Sequence, residues 1–206
     1  MHPSLRAVSA IGFVASLGLG ASVALGQGNT SLVKPISIGI SGGVAVPTGD
    51  LANGSGGLTG VNTGYNVTGS LAIGLPVLPL GLRGDVSYNS FRSKNAALAY
   101  STNAPNGGNY NADASVISGT VNAVYSLPLP APILTPYAIA GIGMYDVRTS
   151  PTTGSSTSKT GFGYNIGAGI KLPLVALNAF VEARYHHVNQ GNGSVSFVPV
   201  TVGVMF

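Results

Sequence analysis

Apolar side chains in this chain recur at every second position, and the final stretch shows it best. In Ser196–Phe206, Val198, Val200, Val202, Val204 and Phe206 share one face, and the sequence ends on the aromatic. A period of two is the signature of a β-strand, whose successive side chains point to opposite faces. The same reading applies along the rest of the chain. Ile36, Ile38, Ile40, Gly42, Val44 and Val46 oppose Ser37, Gly39, Ser41, Gly43 and Ala45. Tyr65, Val67, Gly69, Leu71, Ile73 and Leu75 oppose Asn66, Thr68, Ser70, Ala72 and Gly74, and Leu80, Leu82, Gly84, Val86 and Tyr88 oppose Gly81, Arg83, Asp85, Ser87 and Asn89. Further on, Ile117, Gly119, Val121, Ala123, Tyr125 and Leu127 form a face, as do Phe162, Tyr164, Ile166, Ala168, Ile170 and Leu172, and then Ala179, Val181, Ala183, Tyr185 and His187. Tyr137–Val147 is apolar or glycine on both faces, and Tyr137, Ile139 and Tyr145 are assigned outward. That makes eight strands.

The connections alternate in kind. Pro47–Thr63, Phe91–Tyr110 and Arg148–Thr160 read as polar loops, whereas the turns around Pro76–Pro79, Pro128–Pro132 and Pro173–Leu177 are short and proline-rich. Asn189–Gly193 leads into the last strand. Short turns on one rim and longer loops on the other are typical of antiparallel membrane barrels, and each stretch supplies about the 9–11 residues a tilted spanning strand needs. The pattern predicts an all-β fold, an eight-stranded antiparallel up-and-down transmembrane β-barrel over residues 36–206. Pro199 falls inside the last strand, where a missing N–H implies a bulge or a gap in the ladder.

Composition agrees with lipid as the solvent. Only 7% of the 206 residues are charged, against roughly 25% in an average soluble protein. After residue 30 no run approaches the roughly 18 consecutive apolar residues of a spanning helix. There is no cysteine, which excludes disulfides and thiolate metal sites. No cofactor motif is present. The net charge of +4 is small and scattered, unsuited to nucleic acid. Residues 1–26 read as a secretory signal: Arg6 precedes an apolar, small-residue stretch that ends at Ala24–Gly26. Residues 27–35 form a short tether.

Charge placement sets the faces. Arg83, Asp85, Lys171, Glu182 and Arg184, with His186, all lie opposite the apolar side of their strands, as expected where a cation at mid-bilayer on the lipid side costs roughly 2–4 kcal/mol. An eight-stranded barrel is just wide enough for side chains to fill, and charges in so narrow a space must pair. The natural pairs are Arg83 with Asp85, and Glu182 with Arg184 and Lys171, a polar core that plugs the lumen. Tyr65, Tyr88, Tyr125, Tyr137, Tyr145, Tyr164, Tyr185 and Phe206 sit mostly near strand ends, as in an interfacial aromatic belt. Gly161–Gly167 lacks the spacing and following helix of a nucleotide loop. His186 and His187 face opposite ways and cannot chelate one metal from a regular strand. Ser194 and Ser196 can approach His187, but no orienting acid is recognisable.

With its N-terminal signal, its eight alternating segments, Phe180–Tyr185 in the penultimate strand and the terminal Val202–Phe206, the chain resembles the small OmpA/OmpX-type outer-membrane barrels. The resemblance covers residues 36–206. It implies a bacterial outer-membrane location, contact with outer-membrane lipids including lipopolysaccharide, and recognition by the barrel-assembly machinery of Val200, Val202, Val204 and Phe206. It implies a structural or surface-interaction role without enzymatic activity. The alternatives are a narrow low-conductance channel, a lipid-modifying enzyme using His187, and a soluble periplasmic ligand-binding barrel.

Overall fold

The computed structural model describes residues 36–49, 62–75, 79–96, 110–129, 133–151, 156–174, 177–191 and 193–206. The expected leader, residues 1–26, and the tether, 27–35, lie outside the described residues. Eight strands follow one another: β1 (Ser37–Thr48), β2 (Gly64–Gly74), β3 (Leu80–Ala96), β4 (Tyr110–Ser126), β5 (Thr135–Pro151), β6 (Thr157–Pro173), β7 (Asn178–Asn189) and β8 (Ser194–Met205). Each pairs antiparallel with its neighbours in sequence, and β8 returns to β1, so the sheet closes into a barrel without edges. The closing seam is held to its end by a reciprocal backbone pair: Ile38 N–H donates to Phe206 C=O at 3.1 Å, and Phe206 N–H to Ile38 C=O at 2.8 Å. Both ends of the barrel therefore meet on the rim that carries the short connections. Among the described residues no helix is long and apolar enough to cross a membrane, which says nothing against crossing by strands.

The outside of the barrel is a continuous apolar surface. Val86 is 68% exposed, and Val121, Val202, Ile166 and Ile40 are likewise exposed. Val86 pairs with Gly69, the middle residue of β2, so this surface includes mid-strand depth. Such a band is far larger than the few hundred Å² that a soluble monomer leaves bare. Hydrocarbon is its natural solvent.

Two expectations change. On β5 the faces are reversed: Tyr137, Ile139, Tyr145 and Val147 are buried in the lumen, whereas Ile142 and Met144 are more than half exposed. The reason lies on the inner face of β7, beyond β6, where both phenols find hydrogen-bond partners that lipid lacks. Tyr137 and Tyr145 thus leave the outer belt, and Tyr65, Tyr88, Tyr125, Tyr164 and Phe206 remain exposed on it. The second change concerns length. β3 to β6 run for 17 residues each, against 11 or 12 in β1, β2, β7 and β8. Backbone pairing of β3 with β4 continues to Ser93↔Ala112 and, after a register shift, to Ala96↔Tyr110; β5 with β6 continues to Thr149↔Thr157. Residues 91–96, 110, 148–151 and 157–160, expected as loop, are therefore strand. At roughly 3.3 Å per residue, four strands rise well beyond their neighbours on the rim of the longer loops.

Pro199 produces a gap and no bulge. Ala183 pairs with Val200 and His186 with Phe197 in one register, while Arg184 and Tyr185 between them have no ladder partner. The β1 side stays continuous through Ala45↔Pro199. A strand residue directs its N–H and C=O to one neighbour, so the absent donor is lost from the β7 side alone.

Candidate functional site

The inward residues of β7 mark off the lumen in layers from the short-connection rim upward: Phe180, then Glu182 and Arg184, then His186, then Val188. The first layer borders a vestibule of about 340 Å³ that opens near Leu75, Pro79 and Asn178. Its walls include Val124, Tyr137, Phe180 and Met205, and Lys171 and Arg83 line it too.

Above it four ions close into a ring. Arg83 Nη2 donates to both Glu182 oxygens at 2.8 Å, and its Nε lies 3.1–3.2 Å from the Asp85 carboxylate. Arg184 Nη1 donates to Asp85 Oδ2 at 2.8 Å, and its Nη2 to Glu182 Oε1 at 2.6 Å. Each arginine thus bridges both carboxylates, and the two on β3 meet the two on β7 across the barrel. Neutral groups complete the ring. Tyr137 Oη donates to Glu182 Oε2 at 2.7 Å, Ser70 Oγ to Asp85 Oδ1 at 2.6 Å, and Asn122 Nδ2 to Asp85 Oδ2 at 2.8 Å. Asn165 Nδ2 in turn donates to Asn122 Oδ1 at 2.9 Å. All four ionic side chains are nearly fully buried. Charge withdrawn from water is tolerated when paired and hydrogen-bonded, and every carboxylate oxygen here is.

Glycines make the room. A Cβ at Gly169 would run into the Tyr137 ring, and one at Gly167 would sit 2.7 Å from Arg184 Cγ. The polar lining continues upward with Asn66 Nδ2 donating to Asn89 Oδ1 at 2.7 Å and Ser87 sharing a 2.7 Å bond with Ser118. His186 follows, its Nδ1 3.0 Å from Tyr145 Oη and its ring stacked 4.9 Å from Phe197. The uppermost layer is apolar: Phe91, Val116, Tyr145, Val147, Val188 and Phe197 pack as one buried cluster, Phe91 edge-on to Phe197 at 5.7 Å.

The structure therefore gathers Arg83, Asp85, Glu182 and Arg184 and places His186 one layer higher. Lys171 lies on the vestibule wall, where its Nζ donates to Ser126 Oγ at 3.3 Å and sits 4.9 Å from the Tyr137 ring centre. Val200, Val202 and Phe206 are exposed on the outer face of β8, with Val204 half-buried beside them. Sequence reasoning missed Tyr137, Asn122 and the apolar top layer. Gly141 and Gly143 on β5 could have signalled the true inner face, since Gly163, Gly167 and Gly169 do so on β6. On the outer face, His187 Nδ1 lies 2.9 Å from Ser196 Oγ, to which Tyr185 Oη also donates at 3.0 Å. Among the described residues no carboxylate orients His187, and none forms a metal-binding group of three His, Asp or Glu.

A closed antiparallel barrel, apolar outside and carrying buried ions inside, is an integral membrane protein of the transmembrane β-barrel class. The chain belongs to the outer-membrane protein β-barrel domain family, whose pattern it matches over residues 11–206. It is a protein of the bacterial outer membrane. No curated protein matches it. Among solved structures it is similar to Neisserial surface protein A, at 16% identity and a TM-score of 0.55, over 84% of this chain and 97% of that one. It is also similar to Ail of Yersinia pestis in complex with the heparin analogue sucrose octasulfate (16% identity, TM-score 0.49, 83% and 97% covered). A third is the N-terminal barrel domain of Pseudomonas aeruginosa OprF (18% identity, TM-score 0.46, 82% and 97% covered). At such identities the likeness is one of fold.

Proposed function

We propose that the protein is a non-enzymatic, non-conducting barrel that lifts a surface-interaction platform above the outer membrane. The observation that carries this reading is the asymmetry of the barrel, in which β3 to β6 extend beyond their neighbours on one rim only. Paired backbone holds these hairpins without support from lipid, which suits presentation to a partner outside the cell. The filled lumen leaves the platform as the part of the molecule available to solutes outside the cell. Lipopolysaccharide would surround the outer half of the apolar band. In this reading residues 1–26 are a cleaved secretory signal and 27–35 a tether.

Orientation is testable because the chain has no cysteine. Thr157 and Leu174 are exposed at opposite ends of β6. Thr157→Cys should react with a membrane-impermeant maleimide on intact cells, and Leu174→Cys only after lysis. The opposite pattern would refute the outward platform.

Val200, Val202, Val204 and Phe206 form the assembly signal in this account. Phe206 is 65% exposed, so its ring has little packing to lose, and its backbone fastens the seam to β1. Deleting Phe206 should lower the heat-modifiable outer-membrane form several-fold while secretion into the periplasm continues. Unchanged outer-membrane levels would remove the residue from that role.

The Ser196–His187 contact favours one second reading, an acyl hydrolase in the outer leaflet. Against it, Ser196 is only 4% exposed, beneath Tyr185 and His187, and a serine nucleophile needs a base that is itself oriented. We read the trio as an interfacial hydrogen-bond cluster.

A further inference from the structure

The vestibule below the ion ring has features that a plug does not require. It is a cavity of about 340 Å³, within the roughly 300–1,000 Å³ of small-molecule sites. Two cationic side chains line it, Arg83 in the roof and Lys171 on the wall, and among the described residues no carboxylate does. Both carboxylates of the ring are turned to the arginines, Tyr137, Ser70 and Asn122. The ring is neutral as a unit, two arginines against two acids, and Lys171 stands outside it on the vestibule wall. Apolar surface completes the walls through Val124, Phe180 and Met205.

We propose that this vestibule is a binding site for a small monoanion with an apolar body, such as an aromatic or short aliphatic carboxylate. The anionic group would lie at Lys171 Nζ beside Tyr137, and the body against Phe180, Val124 and Met205. Lys171 already donates to Ser126 and lies over the Tyr137 ring; these contacts position its charge, and a bound anion would add to them. Binding is to a pre-formed cavity and requires no opening of the ring. The inference stands apart from the surface role, which concerns the opposite rim.

Methionine provides the probe. Met205 lines the vestibule, whereas Met144 is 54% exposed on the lipid-facing side of β5 and reports partition into the surrounding detergent. In protein extracted from outer membranes with 13C-methyl-labelled methionine, titration with benzoate should shift the Met205 signal saturably and leave Met144 in place. Benzyl alcohol, the neutral counterpart, should give no saturable shift. Lys171→Gln should weaken benzoate binding about tenfold, as expected for loss of one charge-assisted hydrogen bond, and Lys171→Arg should retain it. The comparison of benzoate with benzyl alcohol on the parent protein decides the matter even if a variant fails to fold. A Met205 signal that does not move, parallel drift of both methionines, or equal response to acid and alcohol would overturn the proposal.

Discussion

Glu182→Ala should destabilise the barrel by about 3–5 kcal/mol, the cost of breaking a buried ion pair and stranding its partners. The carboxylate accepts from Arg83, Arg184 and Tyr137, so its removal leaves two guanidinium groups facing the single Asp85. The expected result is an earlier midpoint in urea unfolding and in the thermal conversion of the fast gel form. Replacing Arg83 by Met together with Glu182 by Leu should cost less than Glu182→Ala alone, because no unpaired charge stays behind. Equal stability of Glu182→Ala and parent would mean that the ring does not hold β3 to β7.

Phe197→Ala should cost a similar amount, about 3–5 kcal/mol, for a different reason. Phe197 has no exposed surface and packs between His186 and Phe91. Its loss removes transfer energy and leaves a cavity. Val202 on the same strand faces lipid at 62% exposure. There acyl chains can take up the lost volume, and Val202→Ala should cost far less. This contrast separates interior packing from lipid contact within one strand. Equal losses at the two positions would contradict the assignment of faces.

The faces of seven strands were legible because lipid on one side and a crowded lumen on the other impose opposite chemistries on alternate residues. β5 failed for a physical reason. Its outward Ala138, Ala140, Ile142 and Met144 are no more apolar than its inward Ile139 and Val147, so the alternation disappears. The deciding facts were the hydroxyl partners of Tyr137 and Tyr145, Glu182 and His186, which lie on β7, beyond the intervening β6. The same holds for the ring. Arg83 and Glu182 are 99 residues apart, and no local pattern announces that contact. Pairing within a strand, Arg83 with Asp85 and Glu182 with Arg184, could be anticipated from spacing, but the two cross-barrel bridges needed the register of all eight strands. The apolar upper layer was hidden because Phe91 lies in sequence that reads as loop, and Ala114 and Val116 precede the stretch of clear alternation that starts at Ile117.

Planar-bilayer recording of the purified protein tests the central claim most directly, that a neutral ion ring and an apolar layer together close the lumen. The structure predicts silence: no stepwise currents at high salt across the voltage range the bilayer tolerates. Reproducible single-channel steps from the parent protein, altered in size by Glu182→Gln, would show an ion path through the ring and contradict the account.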